Sequence, residues 1–187
     1  LYISKGNVEA QHDYAARDPS NLMLGNPDGS FTDASESAGI VNFARARGAA
    51  LADFNLDGML DLVEVNRREP IELWRSVGWG DAATPASMGG WIALQLDQEP
   101  PNVDGIGSWV EVRTGGRILL REITVGGGHA GGQLGWIHFG VGDADSVEIR
   151  VQWPDGEKGP WLNVRANQFV TVERGERDVA VWRPEAG

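Results

Sequence analysis

The feature that most constrains this chain is a period-two alternation of apolar and polar residues, cut into short runs by glycine and turn residues. Leu60 to Val65, Trp91 to Leu96, Trp109 to Val112, Val147 to Val151 and Phe169 to Val172 are such runs. Successive side chains of a strand point to opposite faces, so this alternation predicts strands with one face in a core. Turn signals separate the runs: Asn26-Pro27-Asp28-Gly29, Thr114-Gly115-Gly116 and Pro154-Asp155-Gly156. Helical patterns are confined to Val8 to Arg17 and Ala38 to Ala50, neither with a clean cap. The chain therefore reads as all-β.

Composition narrows the function classes. With 41% hydrophobic and 23% charged residues the chain is of ordinary globular type. Its 187 residues suffice for one domain or two small ones. The net charge of −11, acidic in both halves, argues against nucleic acid, which needs a basic face. No apolar run reaches the roughly 20 residues of a membrane span. The absence of cysteine excludes disulfide scaffolds, thiolate zinc sites and thiol nucleophiles. The first residue is Leu1, with no basic-then-apolar leader ahead of it. The expectation is a mature product or an excerpt of a longer chain.

A small, Gly-rich, aperiodic stretch spans residues 76–90. The expected organisation is a first segment over 1–80, a linker over 81–90, a second β domain over 91–175 and a tail over 176–187. Val179 to Trp182 in the tail is either an edge strand or disordered.

The richest chemistry lies in Asp53-Phe54-Asn55-Leu56-Asp57-Gly58-Met59-Leu60-Asp61. Oxygen-bearing side chains recur at alternate positions, and Gly58 permits a sharp turn. Calcium takes six to eight oxygens, which a tightly wound loop can supply from alternate residues. The expected ligands are the side chains of Asp53, Asn55, Asp57 and Asp61 with the Met59 carbonyl. Magnesium fits less well, because it keeps most of its water. The pattern extends to Glu64 and so meets the EF-hand expression. However, Leu60 to Val65 alternates as a strand and Pro70 blocks an exiting helix, so Glu64 is expected to point away from the ion. The competing reading is a polar hairpin of Asx turns. The Asn26 to Phe31 turn reads as a hairpin connection, and Asp97 to Gly105 as a stiff proline-containing connector.

Two family resemblances follow from these residues. Asn21 to Asp33 with Ala38-Gly39-Ile40 resembles an FG-GAP (VCBS-type) repeat, and Arg47 to Leu62 resembles a second repeat with its calcium loop. Such repeats build β-propeller blades, and the resemblance carries calcium onto Asp53, Asn55, Asp57, Met59 and Asp61. Asn55 replaces the more usual Asp, which removes one charge and keeps the oxygen. The second half is similar to the ASPIC/UnbV domain of cartilage acidic protein-like proteins. The matching residues are Asn102, Gly105-Ile106-Gly107, Val110-Glu111-Val112, Arg121 to Gly128, Gln133, His138 to Gly142, Val151 to Gly156 and Ala166-Asn167-Gln168. Trp109 departs from the family, which usually has a small or basic residue there.

The resemblance implies partial propeller blades packed beside a β-sandwich-like domain. It also implies an exported, calcium-dependent adhesion or interaction protein, extracellular or at the cell surface and prokaryotic, with a protein or glycan partner. It supplies no catalytic residues. The residues themselves agree that no enzyme is expected. Ser108 and Ser146 lack a G-x-S-x-G elbow, and Gly126 to Gly132 lacks the ending of a phosphate loop. Glu111, Glu122 and Glu148 alternate as a solvated strand face rather than a glycosidase pair. His138 reads as a hydrogen-bonded structural histidine and His129 as part of a turn. Two alternatives stand beside the calcium module. One is a carbohydrate-binding or carbohydrate-processing domain using some of the eight tryptophans, with Trp79 and Trp109 the ones to watch. The other is a structural subunit that self-associates through unpaired strand edges.

Overall fold

The computed structural model describes residues 1–6, 18–126 and 132–184. The Val8 to Arg17 stretch and the His129 turn lie outside the described residues. Among those residues there are fourteen strands and no helix, so the chain is all-β. The second helical expectation is overturned. Ala38 to Ala50 forms a turn that leads into strand β4 (Ala46–Ala52). Pairing with β5 (Asp61–Asn66), from Ala46↔Asn66 to Ala52↔Asp61, outweighs the helix propensity of its alanines.

The chain divides into two compact units. The first takes in Leu1–Ala52, Asp61–Ser76 and Gly126–Gly132; the second takes in Asp53–Leu60, Val77–Val125 and Gln133–Gly187. The acidic loop, expected with the first segment, thus groups with the second unit.

The first unit holds two three-stranded antiparallel sheets. One orders β1 (Tyr2–Ile3), β2 (Asn21–Gly25) and β3 (Phe31–Asp33); the other orders β4, β5 and β6 (Glu72–Trp74). The β2–β3 connection is the hairpin its sequence predicts. Asn26 N–H donates to Ser30 O at 2.8 Å, and Asp28 Oδ1 accepts from Ser30 N–H at 3.0 Å. Among the described residues of this unit the buried apolar side chains are Ala34, Ile40, Ala44, Ala46 and Leu62. Its centre is polar. Glu64 is fully buried and accepts from Tyr2 Oη at 2.7 Å, Ser20 Oγ at 2.6 Å and Asn42 Nδ2 at 2.8 Å. Ser20 Oγ in turn accepts the Lys5 N–H at 3.1 Å, which leaves its own proton for Glu64.

The second unit is two four-stranded sheets sharing one core. One sheet orders β10 (Ile137–Gly142), β7 (Gly90–Asp97), β13 (Gln168–Glu173) and β14 (Ala180–Trp182). The other orders β12 (Leu162–Arg165), β11 (Ser146–Gln152), β8 (Trp109–Thr114) and β9 (Arg117–Glu122). β13 runs parallel to β7, and the remaining pairs are antiparallel. Residues 180–182 of the expected tail are thus the edge strand β14. The β8–β9 hairpin turns on Gly115 and Gly116, with φ of 53° and 75°; a two-residue turn of this hand needs positive φ twice.

The alternation becomes the core directly. Ile92, Leu94 and Leu96 of β7 meet Val110 and Val112 of β8 and Val147, Ile149 and Val151 of β11 in one buried cluster. Ile149 lies on a central strand and is completely buried. Ile149→Ala is expected to lower stability by about 2–5 kcal/mol, read as a shift of the urea midpoint. Val181→Ala, half-exposed on the edge strand β14, serves as the mild control.

β7 is buried on both faces. Trp91 and Ala93 point away from the core into a second cluster with Phe169, against which Trp136 and Trp182 pack. The Trp91–Phe169 and Trp136–Phe169 ring centroids lie 4.9 Å and 5.0 Å apart, edge to face. Each such pair contributes about 0.5–1.5 kcal/mol beyond area burial.

Candidate functional site

The Asp53 to Met59 loop is a set of nested Asx turns. Asp53 Oδ1 accepts from Asp57 N–H at 3.0 Å, and Asp53 Oδ2 from Gly58 N–H at 2.7 Å. Asn55 Oδ1 accepts from the same Asp57 N–H at 3.2 Å. Asp57 Oδ1 accepts from Met59 N–H at 2.9 Å, and Asp57 Oδ2 from Asn55 Nδ2 at 2.8 Å. Two residues take positive φ to close the loop: Leu56 at 61° and Gly58 at 88°. The result draws Asp53, Asn55 and Asp57 oxygens onto one short stretch of backbone.

Electrostatics leave that arrangement incomplete. Two carboxylates share a single tight loop, and neither Asp53 nor Asp57 has a basic partner among the described residues. Like charges on one loop repel, a cost that the N–H groups donated to both carboxylates offset in part and a bound cation would offset further. The donor set of two carboxylates, one amide oxygen and a backbone carbonyl is all hard oxygen, which suits calcium. Among the described residues no group of three or more His, Asp or Glu side chains forms a metal cluster by itself. Any ion here would need the Asn55 and Met59 oxygens as well. Asp61, the remaining expected ligand, belongs to the first unit, where its Oδ1 accepts the Ser76 N–H at 2.8 Å. Glu64 is committed to Tyr2, Ser20 and Asn42.

The loop is seated on the aromatic face of the β7 sheet. His138 Nε2 lies 2.8 Å from the Gly58 carbonyl and so must carry the donated proton. Trp91 stacks on the His138 ring, centroids 5.9 Å apart and planes 12° apart. A Cβ built on Gly58 would fall 1.8 Å from Trp91 Nε1. Burial holds the His138 ring below the ordinary imidazole range, and Arg121 adds to this; the Gly58 carbonyl and Asp53 oppose it. His138 is thus the neutral, hydrogen-bonded residue that its strand position suggested. The sequence contains no local sign of its partner.

Other polar groups have structural partners. Asn102 Oδ1 accepts from Ile106 N–H and its Nδ2 donates to Ile106 O, both at 2.9 Å, which staples the proline-containing connector. Glu111 pairs with Arg150 at 2.6 Å and Glu148 with Arg113 at 2.8 Å across β8 and β11. The Arg150 hydrogen bond holds the Glu111 carboxyl below its usual range. Arg113 and Arg150 lie over the Trp161 ring, 4.0 Å and 4.4 Å from its centroid. Ser108 Oγ is buried and has no hydrogen-bond partner among the described residues. Trp79 is 76% and Trp109 39% exposed.

Comparison with known proteins agrees with the second-half motifs. Residues 98–179 match the family model described as ASPIC and UnbV. A stretch of 57 residues is 44% identical to human cartilage acidic protein 1; it takes in 30% of this chain and 9% of that protein. The chain therefore aligns with a small fraction of that relative's length.

Proposed function

We propose that this chain is a calcium-binding interaction module of the cell exterior, without bond-making chemistry of its own. One observation carries the reading: Asp53 and Asn55 oxygens converge on the Asp57 N–H in a loop whose two carboxylates have no ion-pair partner among the described residues. Asp53, Asn55, Asp57 and the Met59 carbonyl would hold the ion. Asp61, the last residue of the sequence pattern, accepts the Ser76 N–H within the first unit. The FG-GAP reading of residues 1–80 is part of the same proposal. It is supported by the antiparallel pairing of β2 with β3, and of β4 with β5 on either side of the acidic loop. The family resemblance supports the exported location.

The test is a melting curve of the full chain with calcium and with chelator. A ligand that binds only the native state adds about 2.7 kcal/mol at one hundred times its dissociation constant. Calcium is expected to raise the melting temperature, and Asp57→Ala to abolish the shift. An unchanged transition at millimolar calcium removes the metal claim.

The exposure of Trp79 favours a second reading, a carbohydrate platform, since a bare indole face can stack on a sugar ring. A glycan array separates the two. Binding lost in Trp79→Ala supports the platform, and silence across the array rejects it.

A further inference from the structure

We propose that Trp91 and His138 are positioning residues for the cation loop, and that through Gly58 they couple loading of that loop to the stability of strands β7 and β10. The proposal rests on the calcium reading above and adds the route by which the ion is felt elsewhere in the second unit. Gly58 is the junction. Its N–H donates to Asp53 Oδ2 at 2.7 Å, and its carbonyl accepts from His138 Nε2 at 2.8 Å. Its neighbours in sequence, Asp57 and Met59, are both assigned ligands. A single residue thus ties a ligand carboxylate to a side chain eighty positions further along the chain.

The seat has a defined shape. Gly58 and Met59 are buried, while Phe54, Asn55, Leu56 and Asp57 are exposed. The loop therefore turns its ion-facing side chains outward and its glycine inward. Trp91 closes against the space a Cβ would fill, and the Trp91–His138 stack fixes the imidazole plane. Behind them Trp91 packs on Phe169, which resists displacement. If this seat holds the loop in its cation-competent form, weakening it lowers apparent affinity by the lost competent fraction. By reciprocity, the cation strengthens the seat.

Calcium titration by calorimetry and hydrogen exchange on the full chain test this together. Wild type is expected to bind calcium and to gain amide protection in β7 and β10 as well as in the loop. His138→Ala is expected to weaken binding about tenfold. His138→Gln keeps an N–H that can reach the Gly58 carbonyl, and is expected to restore most of the affinity; His138→Met fills a similar volume without a donor and is expected to bind as weakly as His138→Ala, whereas a purely space-filling role would let Met restore affinity as well as Gln. Two results overturn the coupling while leaving the calcium reading intact: unchanged affinity in His138→Ala, or calcium bound by wild type with β7 and β10 protection unaltered. Because the exchange arm uses wild type, it stands even where His138→Ala fails to fold. No calcium binding by wild type overturns both the coupling and the calcium reading.

Discussion

Replacing Glu64 by leucine should destabilise the first unit by about 3–5 kcal/mol, because three neutral donors would lose their common acceptor. The side chain is fully buried, and its oxygens accept hydrogen bonds from Tyr2, Ser20 and Asn42. Leucine would fill much of the volume but leave three donors without an acceptor. Each buried donor without a partner costs about 1–3 kcal/mol. The effect is large because the carboxylate joins four separate stretches of chain. Burial and the neighbouring Glu64 also push the Tyr2 hydroxyl well above its ordinary range, so it remains a donor at any physiological pH. Glu64→Gln should cost far less, since its carbonyl oxygen still accepts from Tyr2 and Ser20, while its amino group opposes Asn42. Hydrogen exchange at β5 amides during a urea titration gives the comparison. Equal stability of the leucine variant and the wild type would show that the polar centre is not what holds this unit together.

Gly58→Ala is the second large effect, about 2–5 kcal/mol, from two separate causes. At φ of 88° any L side chain is strained, by roughly 1–2 kcal/mol. The new methyl would also stand 1.8 Å from Trp91 Nε1, so the indole or the loop must move, and overpacking of this kind costs about 1–3 kcal/mol. Gly29 separates the causes. Its φ of 85° is nearly the same, but nothing lies within 4 Å of its would-be Cβ. Gly29→Ala should therefore show the strain alone. Thermal melts and tryptophan emission of the two variants check this; matching losses would mean that Trp91 does not confine the loop.

Much of the architecture was legible because it is written locally. Alternation in β7, β8, β11 and β13 became core-facing rows: Ile92, Leu94 and Leu96, then Val110 and Val112, then Val147, Ile149 and Val151, then Val170 and Val172; the Leu60 to Val65 run is the exception, since β5 buries Glu64 and exposes Val65. The hairpins at Asn26 to Ser30 and at Gly115-Gly116 were legible for the same reason, since turn type depends on a few consecutive residues. The Ala38 to Ala50 stretch misled because alanine propensity is weak and a ladder with β5 overrides it. In the candidate site, the oxygen spacing and the need for glycine could be read directly. Trp91 could not, since its run resembles any other buried strand. Glu111 and Glu148 looked like a solvated face, yet Arg150 and Arg113 pair with them from the neighbouring strand.

By itself, then, the sequence determined the all-β class, the places where the chain turns, and a loop of alternate oxygens closed by Gly58. These depend on backbone preferences and on spacings of a few residues. Tertiary structure decided the rest. It buried Glu64 against Tyr2, sixty-two positions away, and set Gly58 against His138, eighty positions away. It also gathered Asp53–Leu60 into the second unit although the flanking strands belong to the first. Contacts at such separations arise only when sheets register and pack, so no local pattern announces them.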